Sequence, residues 1–143
     1  MAVLYGANAA NVFNTNPPVK SSPSGHGGVV RSLTDTVTYA TQTTSDTIVI
    51  GGGLLPVGAR VLQVNMTTSV TTGSATLALG ITGTVAKYKA AGAVTTANVP
   101  QVFGPAAALD APLTAPEQLF LTIAGASLPA SGTLVTTVYY VVD

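Results

Sequence analysis

The sequence predicts an all-β fold, an antiparallel β-sandwich or jelly-roll-like barrel that carries an extended N-terminal arm. Several short segments alternate apolar with polar residues, which is the period of a β-strand, and turn-forming residues separate these segments. No window sustains the apolar period of an amphipathic helix, so we expect little helix. A β-solenoid is the alternative architecture, and the irregular spacing of the segments weighs against it.

The segment from Gln118 to Asp143 has the clearest strand pattern and predicts a β-hairpin. Its first strand carries three alternating apolar residues, Leu119, Leu121 and Ile123. Its second strand, which follows a loop of small residues and proline, is apolar on both faces, with Tyr139 and Val141 opposite the core side. An antiparallel strand that has one face in solvent usually carries polar residues on that face. We therefore expect the second face to be covered by another segment or another molecule.

Further strands are predicted at residues 29–41, 47–50, 60–68, 75–81 and 99–103. The three glycines at 51–53 are expected to end the second of these strands, and residues 54–59 to form a turn that carries buried leucines. Residues 90–116 contain four prolines, each of which removes a backbone hydrogen-bond donor, so this region is predicted to be mostly loop. The total is six or seven strands.

Residues 1–28 are predicted to form an extended arm, and residues 29–143 the β-sandwich domain. Asparagine, proline, serine and glycine dominate the arm, and such a composition does not bury enough apolar surface to fold alone. The alternative is a disordered terminus with scattered hydrophobic residues. We interpret five apolar residues as anchors that dock on neighbouring molecules: Val3, Leu4, Tyr5, Val12 and Phe13.

The composition excludes several classes of function. The chain of 143 residues has no cysteine, which excludes disulfides, zinc–thiolate sites and cysteine nucleophiles. Its net charge of zero argues against binding to nucleic acid or to an anionic membrane. Charged residues make up 7% of the chain, against about 25% in ordinary domains, which favours a surface covered by neighbouring molecules. We expect no transmembrane helix and no secretion signal, and therefore synthesis in the cytoplasm.

No catalytic, metal or cofactor site is predicted. The single histidine, His26, lies in a glycine-rich stretch that would not hold a base in place, and no motif pairs the five acidic residues. We therefore expect that the protein is not an enzyme and has no cofactor. The residues considered as a possible interface are the basic cluster and two residues of the last strand: Lys87, Tyr88, Lys89, Tyr139 and Val141.

Four stretches, at residues 1–8, 54–62, 77–88 and 133–143, resemble small structural proteins from the head-gene region of tailed bacteriophages. The resemblance covers most of the chain through strand and turn patterns. It implies a capsid cement (decoration) protein on the exterior of the virion, made in the host cytoplasm, with a compact β-domain and an arm across neighbouring capsomers. The implied partners are the major capsid protein and further copies of the chain, with a homotrimer favoured, and the family has no catalytic residue.

The alternative function is a receptor- or glycan-binding β-module of a phage head fibre or tail. Such a module needs an exposed aromatic platform, and this chain has three phenylalanines, five tyrosines and no tryptophan with which to build one. A hydrolase is a more distant third possibility.

Overall fold

The computed structural model describes residues 29–44, 46–106 and 111–142. These residues form an all-β fold, as predicted, and the described segments contain no α-helix. The predicted arm lies outside the described residues, so the division at residue 28 stays a prediction. The strands are β1 (Val30–Thr38), β2 (Thr47–Leu55), β3 (Ala59–Thr68), β4 (Thr76–Ile81), β5 (Thr84–Gly92), β6 (Gln101–Phe103), β7 (Glu117–Ala124) and β8 (Thr133–Val142).

The eight strands form two four-stranded sheets, with orders β1-β8-β3-β6 and β2-β7-β4-β5. All paired strands are antiparallel. Within the sheets β1 pairs with β8, β2 with β7, β3 with β6 and β4 with β5, which is the pairing of one long hairpin rolled into two layers. This topology is the jelly roll. It selects one of the two predicted architectures, and it shows that the solenoid alternative is wrong.

The predicted C-terminal hairpin is also wrong, because β7 and β8 belong to different sheets. The loop between them crosses from one sheet to the other. It is held against the turn after β1, where the Leu128 N–H donates to the Gln42 carbonyl and the Thr41 N–H donates to the Pro129 carbonyl. Leu128 itself is buried. Alternation had correctly identified both strands, but alternation does not specify which strand each one pairs with.

The core lies between the facing sides of the two sheets. The predicted burial of Leu121 is confirmed, since its side chain is 0% exposed at the centre of β7. Its cross-strand partners are Ile48 on β2 and Leu79 on β4. The other sheet contributes core residues from β1, β3 and β8, including Val37, Val61, Val64, Met66, Leu134 and Val138.

The glycines at 51–53 do not end β2, contrary to the prediction. The strand continues to Leu55, and its register against β7 shifts between Ile50 and Leu55. Gly51 has a φ of +73°, and a Cβ atom there would lie 2.2 Å from the Leu33 side chain. Glycine therefore permits the irregularity both through its backbone conformation and through its lack of a side chain.

β5 was not predicted as a strand. Its alanines, lysines and terminal glycine are weak strand formers, and its register against β4 shifts twice. With β5 the described residues contain eight strands, where six or seven were predicted.

Candidate binding surface

The outer face of the β1-β8-β3-β6 sheet, called here the hydroxyl face, is almost uncharged. It consists of the side chains that alternate with the core residues on these strands. Arg60 is its only charged residue among the residues that the structure describes. The main members of the face are Val30, Ser32, Thr34, Thr36, Thr38, Arg60, Leu62, Gln63, Asn65, Thr67, Val102, Thr133, Val135, Thr137, Tyr139 and Val141.

Each strand of the hydroxyl face exposes one aliphatic side chain. Val30 on β1, Leu62 on β3, Val102 on β6 and Val135 on β8 are between 37% and 61% exposed. Threonine and serine residues lie between them, and the Thr34 and Thr137 hydroxyls hydrogen-bond to each other across β1 and β8 at 3.0 Å. The result is a surface of hydroxyl and aliphatic groups, a chemistry suited to a partner surface that is also weakly charged.

The structure places the two predicted interface residues of β8 on the hydroxyl face. Tyr139 is partly buried there, while Val141 is buried between its cross-strand partners Val30 and Arg60. On the opposite side of the strand, Tyr140 and Val142 pack against the core. The chain itself therefore covers part of the second apolar face, and the more exposed aliphatic groups of this face lie at other positions.

The predicted basic cluster is not a cluster of surface charges. Tyr88 and Lys89 are each 1% exposed, and Lys87 is partly buried. Glu117 at the start of β7 accepts hydrogen bonds from the Lys87 ammonium and from the Tyr88 hydroxyl. Burial, together with this hydrogen bond and the nearby Glu117 charge, raises the pKa of Tyr88. These contacts connect β5 to β7 inside one sheet, so they stabilise the fold.

Lys89 occupies a site built mainly from backbone oxygens. Its Nζ donates to the carbonyl oxygens of Leu77 at 2.6 Å and of Ala90 and Gly92 at 3.1 Å. It also lies 4.3 Å from the centre of the Phe103 ring on β6. Burial lowers the pKa of Lys89 to about 8, whereas the carbonyl and ring contacts favour the ammonium form. Lys89 thus links the irregular β4–β5 edge to the other sheet.

This site predicts a measurable pH dependence of stability. An unfolded lysine has a pKa of about 10.4, so between about pH 8 and that value the unfolded chain binds more protons than the native chain. The contribution of Lys89 to stability should therefore rise with pH across this window and be lost as the pH falls through about 8. Urea denaturation from pH 7 to pH 9.5 measures the free energy of unfolding of the wild type and of Lys89→Met. As the pH rises, the free energy of the wild type should increase relative to that of the variant. The same difference at every pH would contradict a lowered pKa.

The acidic side chains in the described residues bind groups of their own chain. Asp35 accepts from the N–H groups of Thr36 and Gly51, at 2.7 and 2.8 Å. Asp46 accepts from Thr43, and Glu117 from β5 as described above. The described segments contain no group of three His, Cys, Asp or Glu residues that could hold a metal ion. They also contain no helix long and apolar enough to cross a membrane.

The outer face of the β2-β7-β4-β5 sheet is the other large surface. Val49 on β2 is 55% exposed there, and it pairs directly with the partly buried Phe120 on β7. The neighbouring β4 presents small residues, since Ala78 and Gly80 lie opposite Thr122 and Phe120. This face also lacks charge along β2, β4 and β7, so charge alone does not distinguish the two faces. The hydroxyl face differs in exposing an aliphatic residue on every strand.

The four exposed aliphatic residues of the hydroxyl face were not predicted from the sequence. A usable signal was present for Val30 and Val135, because both are out of phase with the core residues of their strands. The alternation did not identify Leu62 as an outward-facing residue, because Leu62 lies at the register shift of β3 against β8. The five predicted arm anchors lie outside the described residues.

The jelly roll places this chain in a class of folds that includes viral capsid and lectin domains. No protein-family model matches the sequence, and no curated protein matches it. The likeness is to solved phage structures. A chain in the capsid asymmetric unit of cyanophage Pam1 superposes with a TM-score of 0.63 at 24% identity, covering 87% of this chain and 93% of that one.

Two further phage capsid structures contain a similar chain. One is the capsid of Ralstonia phage GP4, with a TM-score of 0.63, 20% identity, and coverage of 81% of this chain and 86% of that one. The other is the acid-stable capsid of Helicobacter pylori bacteriophage KHP30, with a TM-score of 0.56, 14% identity, and coverage of 80% and 88%. At these identities the likeness concerns the fold.

Proposed function

We propose that this protein is a phage capsid decoration (cement) protein, which binds the major capsid protein on the outside of the head and bridges neighbouring subunits. The observation that carries the proposal is the hydroxyl face, a broad and nearly uncharged surface that exposes an aliphatic residue on each of its strands. A solvated face of an isolated domain would ordinarily carry interspersed charges. The shared fold with chains in three phage capsid structures supports the same proposal.

The size of the hydroxyl face indicates how binding would work. Three of its strands have nine or ten residues and β6 has three. At about 3.3 Å per residue and about 4.8 Å between strands, they give a face of about 500 Å². A stable protein–protein interface usually takes about 800 Å² from each partner. One face alone would therefore bind weakly, and the arm with its five apolar anchors would supply the remaining contact.

Several weak contacts give a high overall affinity when they are linked in one oligomer. In our proposal the protein forms a homotrimer on three-fold positions of the lattice, so that three faces and three arms engage identical subunits together. Linkage of this kind raises overall affinity by about 10²–10⁴ without any new type of contact. Because the protein would bind the assembled shell better than its separated subunits, it would stabilise the shell by mass action. In this mechanism the bridging is purely mechanical, and no catalytic group takes part.

The glycan-binding alternative receives less support from the structure. A glycan platform needs exposed aromatic rings, and every aromatic side chain in the described part of the chain is at least partly buried. A glycan array provides the direct comparison with capsid binding, since the decoration proposal expects signal on capsids alone.

Substituting glutamate on the hydroxyl face should weaken capsid binding. Val135 lies between Thr36 on β1 and Thr67 on β3, so Val135→Glu would place a charge in the middle of the proposed interface. We expect its affinity for capsids that lack the protein to fall about tenfold or more, which corresponds to about 1.4 kcal/mol. Co-sedimentation with such capsids measures this affinity.

Val49→Glu is the matched control, because Val49 is an exposed valine in a strand on the outer face of the other sheet. Both variants should melt close to the wild type, since both positions are solvent-accessible. Equal losses of binding in the two variants, or a loss with Val49→Glu alone, would move the interface away from the hydroxyl face.

A further inference from the structure

The four edge strands of the two sheets differ in regularity. β6 has three residues and directly follows Pro100, β2 has a register shift after Ile50, and β5 is irregular along its pairing with β4. Short, interrupted or proline-flanked edges are the usual protection against pairing with another chain. β1 lacks this protection, because it pairs with β8 over nine residues without a shift, from Val30 to Thr38. No strand of the described residues lies on its other side.

We propose that the open edge of β1 pairs antiparallel with β1 of a second copy of this chain, about a two-fold axis at Leu33. The two four-stranded sheets would join into one sheet of eight strands. Such an interface is isologous, so each contact between two different positions occurs twice. The backbone groups along the edge would supply the hydrogen bonds, as in other cases of strand addition.

The charges of β1 fit this register. With Leu33 on the axis, Arg31 lies opposite Asp35 of the second copy, and Asp35 lies opposite its Arg31. These are the only two charged residues of β1, and a register that pairs them makes both contacts attractive. Arg31 is exposed and Asp35 is partly exposed, so neither side chain is fully enclosed by its own chain.

The uncharged residues of β1 also fit this register. Ser32 lies opposite Thr34 of the second copy, and Val30 opposite Thr36, so the hydroxyl face would continue across the axis. Asp35 Oδ1 accepts from the Thr36 N–H in the separate chain, while Oδ2 accepts from Gly51. Pairing would return the Thr36 N–H to the strand ladder and turn Oδ1 towards Arg31 of the second copy. The contact to Gly51 would be kept.

The inference does not depend on the proposed function, since it concerns contacts between copies of the chain in solution. If the protein does decorate a capsid, the β1 contact would connect neighbouring oligomers across the two-fold positions that lie between three-fold positions. Failure to bind capsids would leave the test below unaffected.

Disulfide trapping of the full-length chain tests the register, because the native sequence has no cysteine. In the double variant Ser32→Cys, Thr34→Cys, each cysteine would face a cysteine of the second copy at a Cα separation of about 4.5–5.5 Å, which a disulfide spans. Mild oxidation should convert most of the protein to a covalent dimer on a non-reducing denaturing gel. No higher ladder should form, because both disulfides join the same two chains.

The double variant Thr36→Cys, Thr38→Cys is the matched control, with the same spacing on the same face of the same strand. Its nearest cysteines on the two copies would be about 20 Å apart, so it should remain monomeric on the gel. Adding Arg31→Glu to the first variant should lower the dimer yield several-fold, whereas Arg31→Lys should largely preserve it. Equal crosslinking of the two cysteine pairs, a ladder beyond the dimer, or monomer alone from the first variant would overturn the proposal.

Discussion

Replacing Leu121 by alanine is expected to lower the free energy of unfolding by about 2–5 kcal/mol. Leu121 is completely buried at the centre of β7 and lies between Ile48 and Leu79 in the sheet. The substitution removes buried apolar groups and leaves a cavity that the surrounding strands would fill only in part. Urea denaturation monitored by circular dichroism measures the effect.

Val49→Ala provides the control, since Val49 lies on the neighbouring strand β2 but points away from the core. We expect it to cost less than about 1 kcal/mol, mostly through the lower strand propensity of alanine. A Leu121→Ala variant with an unchanged denaturation midpoint would mean that this side of β7 is not part of the core.

Deleting residues 1–27 is expected to weaken capsid binding by about 100-fold, within the range that linkage of two contacts provides. The sequence of the arm argues that it does not fold alone, and its five apolar residues argue for a partner. Ordering each residue costs about 1–2 kcal/mol, so only a preformed surface with many contacts would hold such a segment. Co-sedimentation of the truncated and full-length chains with capsids gives the ratio of affinities.

The truncated chain should keep its β-sheet circular dichroism and most of its thermal stability, because it retains all eight strands and every core residue of the described part of the chain. Equal binding of the two forms would remove the arm from the mechanism. Collapse of the truncated chain would show instead that the arm is part of the fold itself.

Periodicity predicted the strands well where one side of a strand faces the core. β1, β3, β4, β7 and β8 were found within a few residues of their bounds, because a period of two directly reflects burial on one side. It could not assign partners, and the error at β7 and β8 shows why. A loop of eight residues between two strands fits a hairpin and a crossing between sheets equally well.

The candidate binding surface was harder to predict than the fold. Lys87, Tyr88 and Lys89 have the composition of a surface cluster. In the structure, however, Lys87 and Tyr88 hydrogen-bond to Glu117. Lys89 donates to three backbone carbonyl oxygens of β4 and β5. The contact with Glu117 could not be predicted from the sequence, since Glu117 lies 30 residues from Lys87. The two-faced apolar pattern of β8 pointed to the sheet whose outer face we propose as the interface, although the exposed aliphatic groups lie on all four of its strands.

Electron cryo-microscopy of the phage head with and without this protein tests whether the protein decorates the outside of the capsid. Capsids that lack the protein would be imaged alone and after addition of the purified chain. We expect added density on the outside of the shell, at positions that repeat with the capsid lattice. The jelly roll should fit this density with its hydroxyl face towards the major capsid protein. Unchanged capsids, or added density at the tail or a fibre alone, would contradict a role in decorating the capsid.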